Sequence, residues 1–533
     1  MADDAADVLI VGSGASGGAA AWRLAAAGIK VVCLEQGDWL DPARIPSNRP
    51  DWEFRRLTDW NPNPNLRQGP ADYPIVDGDS PIKPLLYNGV GGSTIMWSTM
   101  HPRFRPSDFR VRTLDGVGDD WPLTYDELAP FYDLNDRMMG VSGLAGDTAY
   151  PPRPARPFGP LGLTDGGRRL AEAYDRLGWH WWPAERAQIS APWGDRQACN
   201  NCAWCEAGCP RRAKGSTDVT YWPAALSAGA VLKTGARVFE ITVDDQGRAT
   251  GAHYFDAAGT IRHQAADKVV LAANGIGTPR LLQLSVSKLF PDGLANSSGL
   301  VGRNLMFHPI ANVTGVFDEM INGHTGNSAV SVYCQQFYET DATRGFARGF
   351  MMAGLRSQGP MVTATGGWAK PLPWGESHHR DFLALAGRTG ALSVLCEDLP
   401  DERNHVGIDA SMVDAWGIPA ASLHYQVDEN STRMLAYGMA RAREALVEAG
   451  ARDVVEKALL SEAGFHLMGT ARMGDDPARS VTNRWGQTHD VPNLYIIDGS
   501  LFVTAAGVNP TPTIQALALR TADHLIASRG AGA

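Results

Sequence analysis

Near the N-terminus the chain reads Asp7-Val8-Leu9-Ile10-Val11-Gly12-Ser13-Gly14-Ala15-Ser16-Gly17-Gly18. The apolar run Val8 to Val11 predicts a buried strand, and the glycines after it predict a tight turn that opens a helix. Gly12 permits the turn, Gly14 lets the backbone approach a ligand, and Gly17 lets the helix pack close to the strand. Ser16 lies in the first turn of that helix. Alanine-rich residues Ala19 to Ala27 favour a helix, and Gly28 ends it. A second strand, Lys30 to Leu34, closes on Glu35, whose carboxylate suits the two hydroxyls of a ribose. A G-x-G-x-x-G alone is weak, but strand, turn, helix, spacing and terminal acid together make a dinucleotide site. This unit does not decide between FAD and NAD, although Gln36-Gly37 after the acid is more typical of flavoproteins.

Outward from this unit, four segments share a pattern. They are Asn88-Gly89-Val90-Gly91-Gly92-Ser93-Thr94; Val270 to Leu282, which contains Ala273 and Thr278-Pro279-Arg280; Val301-Gly302-Arg303-Asn304 running to His308-Pro309; and a C-terminal part. The last carries His466-Leu467-Met468-Gly469, then Asp498-Gly499-Ser500, then Asn509-Pro510-Thr511. Spread over almost the whole chain, these segments resemble the glucose–methanol–choline (GMC) family of FAD-dependent oxidoreductases.

The resemblance implies an α/β fold. Its Rossmann-like FAD-binding domain is of the glutathione-reductase type, and its interleaved substrate domain is built on an antiparallel sheet. The FAD-binding domain is expected from residues 1–119, 200–310 and 461–533, and the substrate domain from 120–199 and 311–460. Gly91, Gly92, Ser93, Val238, Ala273, Asp498, Gly499, Asn509, Pro510 and Thr511 are expected to join the N-terminal glycines and Glu35 around the cofactor. Short apolar runs at Leu392 to Cys396 and Ala421 to Tyr425 read as antiparallel strands, and Asn430 to Ala449 as a helix.

Oxidising an alcohol needs a base for the hydroxyl proton and a hydride acceptor facing the carbon. An imidazole works near neutral pH, so His466 is the expected base, and Asn509 would hold the substrate oxygen. By resemblance the two form the family's catalytic pair. Asn509 also precedes a helix whose N-terminal amides would favour negative charge. His308 is expected to support packing, and His101, His378, His379 and His489 are read as structural. Some relatives attach FAD through a histidine after the glycine-rich loop; here Met96 and Trp97 occupy that region, so FAD is expected to be non-covalent.

The chain has 7 cysteines, and four lie at Cys199, Cys202, Cys205 and Cys209, followed by Pro210. C-x2-C-x2-C-x3-C-P is the spacing of half a bacterial ferredoxin. Three readings stay open: an iron–sulfur cluster, a zinc site, or reduced thiols in a structured loop. The run resembles segments of membrane-linked bacterial sugar dehydrogenases, which hold a cluster, and of long-chain alcohol oxidases.

The chain has 533 residues and a formal net charge of -10, and this acidic balance argues against nucleic acid as a partner. No apolar run reaches the ~20 residues of a membrane helix, so no intrinsic membrane anchor is expected. The residues before Val8 hold three Asp and no Lys or Arg, which reads as a cytoplasmic protein unless a signal-bearing partner exports it. Nothing fixes an oligomeric state. The segment Phe104 to Leu128 resembles sugar-oxidising members, so the expected substrate is a ring hydroxyl of a sugar or glycoside. A terpenoid, steroid or aliphatic alcohol is the alternative, and a catalytically silent electron-transfer subunit the non-enzyme one. The electron acceptor would be oxygen, a quinone or a partner redox protein.

Overall fold

The computed structural model describes residues 5–326, 330–365 and 371–529. Three sheets carry the architecture. The first is built on Ala6–Val11, which pairs in parallel with Val31–Leu34 on one side and with Ile261–Leu271 on the other. Val231–Lys233 extends one edge, again parallel. The 11-residue strand Ile261–Leu271 serves two roles. Its C-terminal half pairs in parallel with Ala6–Val11 and Leu494–Ile496, and its N-terminal half starts an antiparallel run through Ala249–Phe255 to Arg237–Val243.

The helix after the first strand spans Ala15–Ala25, and Gly28 follows at φ 75°. Its small residues Ala19, Ala20 and Ala21 pack with Ala518, Leu519 and Ala522 of the C-terminal helix Thr511–Ser528. Alanine on both faces lets the two backbones approach, so the two ends of the chain share one core.

The second sheet has six strands, in the order Asp453–Lys457, Ile310–Val316, Thr389–Cys396, Phe350–Leu355, Val330–Cys334 and Trp181–Pro183. Every pairing in it is antiparallel. Side chains alternate between its faces, as a pleated strand requires. Phe350, Met352, Leu392 and Val394 pack against Met434, Ala442 and Leu446 of the helix Glu429–Glu448. Ala353, Leu355, Ser393 and Leu395 face the other way and line a large cavity.

The expected antiparallel runs at Leu392 and Ala421 both form strands, but in different sheets. Pro419–His424 lies in a third sheet, between His405–Val413 and Ile75–Asp79. Local alternation predicts a strand and carries no information on its non-local partner. No helix of the described residues is long and apolar enough to cross a membrane.

Candidate active site

A cavity of about 810 Å³ lies between the parallel sheet and the six-stranded sheet. That size suits a sizeable cofactor or ligand. Gly12, Gly14, Ser16 and Glu35 form one end of its lining. Gly12 has φ 101°, and a Cβ there would sit 2.6 Å from the Ala272 carbonyl oxygen. Gly92, at φ 51°, approaches just as closely, since its Cβ would lie 2.7 Å from the Gly14 Cα. Two loops meet there, backbone on backbone. Helix Ala15–Ala25 begins with no side-chain cap and no acid in its first turn, so its first amides stay open toward the cavity. Such an end suits a pyrophosphate. Gly17 and Gly91 do not line the cavity. A Cβ on Gly17 would meet the Gly12 carbonyl, so its part is to seat the helix on the turn.

Glu35 is buried. One carboxylate oxygen accepts from the Ser13 backbone N–H (2.9 Å) and hydroxyl (2.7 Å), and the other accepts from the Gly37 N–H at 2.9 Å. These bonds lock the carboxylate while leaving lone pairs for a diol. Ser93, Val238, Ala273, Asp498, Gly499, Pro510 and Thr511 also line the cavity. Asp498 accepts from Thr278 Oγ1 at 2.6 Å, from Asn274 N at 3.1 Å and from Ser500 N at 3.0 Å. It ties the 274–278 loop to the 498–500 turn. Met96 and Trp97 line the cavity as well, and the buried Trp97 indole N–H finds no partner among the described residues.

His466 and Asn509 meet at the same cavity, with Asn509 Nδ2 3.3 Å from His466 Nε2. Behind His466 stands His308, fully buried, with the two Nδ1 atoms 2.7 Å apart. His308 Nε2 is 2.7 Å from the Ala506 carbonyl oxygen. A carbonyl only accepts, so His308 Nε2 carries the proton. Burial lowers the His308 pKa to about 4, which keeps the ring neutral and leaves Nδ1 a lone pair. His466 Nδ1 must then donate, and His466 Nε2 is left as an acceptor. Burial, and secondarily the neighbouring His308, hold the His466 pKa well below the usual histidine range. Ala506 sits at φ 57°, a left-handed conformation uncommon for alanine, and its carbonyl is the anchor of the chain of bonds. Asn509 Oδ1 is buried with no partner among the described residues, as an atom awaiting a ligand would be. His308 thus does more than the expected packing. The signal was its place in a quoted motif, but no pattern in sequence predicts a contact across 158 residues.

His101, His378 and His379 do not line the cavity. His101 is buried beside Asp136, and His489 lies 2.9 Å from the Ser480 hydroxyl.

The four cysteines are not gathered as ligands. Among the described residues no three His, Cys, Asp or Glu side chains are grouped to hold a metal ion. Cys205 is buried, Cys202 is exposed, and Cys199 Sγ accepts from Gln188 Nε2 at 2.6 Å. The backbone between them takes positive φ at Asn201, Ala203 and Gly208. In this arrangement the set fits neither an iron–sulfur cluster nor zinc. The loop is instead fixed against the glycine-rich segment, where buried Lys214 Nζ donates to the Ile95 carbonyl at 2.5 Å and the Cys205 carbonyl at 2.9 Å. Trp204 and Glu206, which the cysteine spacing treats as filler, line the cavity. So do Arg56, Arg356 and Gln358, none of which carries a motif.

Fold and cavity together define an oxidoreductase that binds a dinucleotide. Two GMC oxidoreductase family models match the chain, one over residues 170–310 and one over 400–518, and an NAD(P)-binding Rossmann-like model matches 10–68. The 2-methyl-1,2-propanediol dehydrogenase of Mycolicibacterium austroafricanum is 42% identical over 98% of this chain and 95% of its own length. The fructose dehydrogenase large subunit of Gluconobacter japonicus is 29% identical over 98% of each. Among solved structures, pyridoxine 4-oxidase from Mesorbium loti superposes with a TM-score of 0.63 at 16% identity, covering 97% of this chain and 99% of that one. The chain belongs to the GMC oxidoreductase family. Membership implies FAD as cofactor, a small-molecule alcohol or sugar donor oxidised at CH–OH, and an electron acceptor.

Proposed function

We propose that this chain oxidises a compact aliphatic alcohol to its carbonyl, with His466 as the base and Asn509 as the group that holds the substrate oxygen. The observation that carries this is the ordered line Ala506–His308–His466–Asn509, which ends at the cavity shared with the N-terminal glycine turn. Asn509 Nδ2 and His466 Nε2 are 3.3 Å apart, so an alcohol oxygen seated beside the pair would be within hydrogen-bond reach of both. Its O–H donates to His466 Nε2 while the oxygen accepts from Asn509 Nδ2. His466 takes the proton at Nε2, while His308 Nδ1 continues to accept from His466 Nδ1 and keeps the ring oriented. Gly12, Gly14, Glu35, Gly92 and Ser93 would hold FAD, which would supply the hydride-accepting chemistry. The open first turn of Thr511–Ser528, which has no capping side chain and no acid, faces the same space and favours added negative charge.

The walls beside His466 favour a small aliphatic donor. Ile310, Leu395 and Ala463 form one apolar cluster there, and Phe465 adjoins the base. The 42% identical relative is named for a small diol, which agrees. A sugar ring hydroxyl is the second reading, supported by the fructose dehydrogenase subunit and by the segment from Phe104 to Leu128. Non-covalent FAD is part of the proposal, because Met96 lines the cavity where some relatives carry a linking histidine. So is the division into a cofactor part (1–119, 200–310, 461–533) and a substrate part (120–199, 311–460).

The test is anaerobic titration of the purified flavoprotein with short primary alcohols, diols and monosaccharides, followed at the flavin absorption band. Bleaching by the short alcohols at lower concentration than by sugars is expected. Bleaching by sugars alone reverses the order of the two readings, and no bleaching by any of them removes alcohol oxidation. Admitting air afterwards separates an oxidase from a dehydrogenase.

A further inference from the structure

The cysteine-rich loop supplies the cavity with polar residues that the reaction chemistry does not use. Glu206 and Arg356 form an ion pair there, 3.0 Å between Oε2 and Nη2, with side chains only 13% and 8% exposed. Arg356 is fixed from three sides. Its Nε donates to the Ala203 carbonyl at 2.8 Å, its Nη1 faces the Ser357 carbonyl at 3.4 Å, and its guanidinium lies 3.7 Å from the Trp204 ring centre. Arg56 lines the same wall, and its guanidinium makes no hydrogen bond among the described residues. Glu53, also in the lining, is engaged by the Met361 and Val362 amides at 2.9 and 3.3 Å.

We infer that Glu206, Arg356 and Arg56 form a specificity subsite for a second hydroxyl of the alcohol substrate; this rests on the reading of His466 and Asn509 as the oxidising end. A hydroxyl both donates and accepts. Among the described residues no other side chain donates to Glu206 Oε1, and the two guanidinia supply donors. The wall holds two cations, Arg56 and Arg356, against two anions, Glu53 and Glu206, so it balances to zero and suits a neutral polyol rather than an acid. The apolar cluster would then take the carbon skeleton between the two oxygens. The cysteine run thereby acquires a use that needs no metal: it carries Glu206 and Trp204 into the cavity.

The test compares kcat/KM for 1,2-propanediol and 1-propanol in the FAD-loaded wild type and in Glu206→Gln and Arg56→Met. Both alcohols meet the same base, so their ratio cancels any general loss, and visible flavin absorption monitors folding. The wild type should favour the diol by about tenfold or more, the scale of one charge-assisted hydrogen bond, and each variant should cut that ratio by about tenfold. A diol-to-alcohol ratio near one in the wild type, or a ratio unmoved in both variants, overturns the subsite. Lactate preferred over both alcohols overturns it in favour of an anion site. Failure of every alcohol to bleach the flavin instead removes the oxidising end on which the inference rests.

Discussion

The glycine turn at Gly12 to Gly17 and the cysteine run at Cys199 to Cys209 are both short, regularly spaced motifs, yet they relate to the cavity in opposite ways. In the glycine turn the motif residues themselves meet or shape the cavity, because their work is done by backbone. Gly12 and Gly92 permit contacts that a Cβ would block. In the cysteine run the spaced residues form no metal-ligand group among the described residues, and the residues between them, Trp204 and Glu206, reach the cavity. A motif that acts through backbone geometry is complete in the chain. One that acts through converging side chains depends on how the loop is held from outside, here by Lys214 and Arg356.

Four substitutions probe that contrast. The largest effect belongs to the end where side chains do converge. His466→Ala should retain FAD and slow substrate-driven flavin reduction by about 10²- to 10⁴-fold in stopped flow, the range for a lost general base. Undiminished reduction would show that another group takes the proton. Asn509→Ala should slow the same step by about 10²-fold, as loss of an oxygen-holding donor does; an effect on KM alone would make Asn509 a binding contact only. His308→Gln should cost on the order of tenfold, the worth of one hydrogen bond. It should also shift the pH profile. The folded pKa of His466 is depressed, so the base stays unprotonated below its ordinary value of about 6.5, and the wild-type rate should fall only further into acid. Removing the second imidazole relieves part of the depression, and the acid limb of His308→Gln should move to higher pH. A wild-type acid limb at or above pH 6.5 breaks the assignment. The smallest effect is expected in the cysteine run. Cys202 is exposed, so Cys202→Ser should change kcat/KM by less than about twofold. A tenfold fall accompanied by loss of protein-bound iron would return the loop to cluster chemistry.

Much of the nucleotide end was legible in the chain, because each step is local: an apolar run, a glycine that must turn, an acid closing the next strand. The helix Glu429–Glu448 was legible for the same reason, with boundaries one residue from expectation at each end. Leu392 and Ala421 are strands as read, but in different sheets, because alternation fixes a strand's faces and leaves its partner open. His466 and Asn509 were found through resemblance, and the structure brings them to one cavity. Arg56 and Arg356 belong to no pattern, and only folding brings them beside Glu206.

The strand Leu494–Ile496 inserts beside Ile261–Leu271, and Thr511–Ser528 packs on the first helix of the chain. This has a consequence for folding. The glycine turn lies far along the chain from His466, Asn509 and the helix that completes the core. Contacts of such long sequence separation form slowly. The parallel sheet is therefore complete only after this long-range closure, and the cavity it bounds is assembled last in folding rather than first.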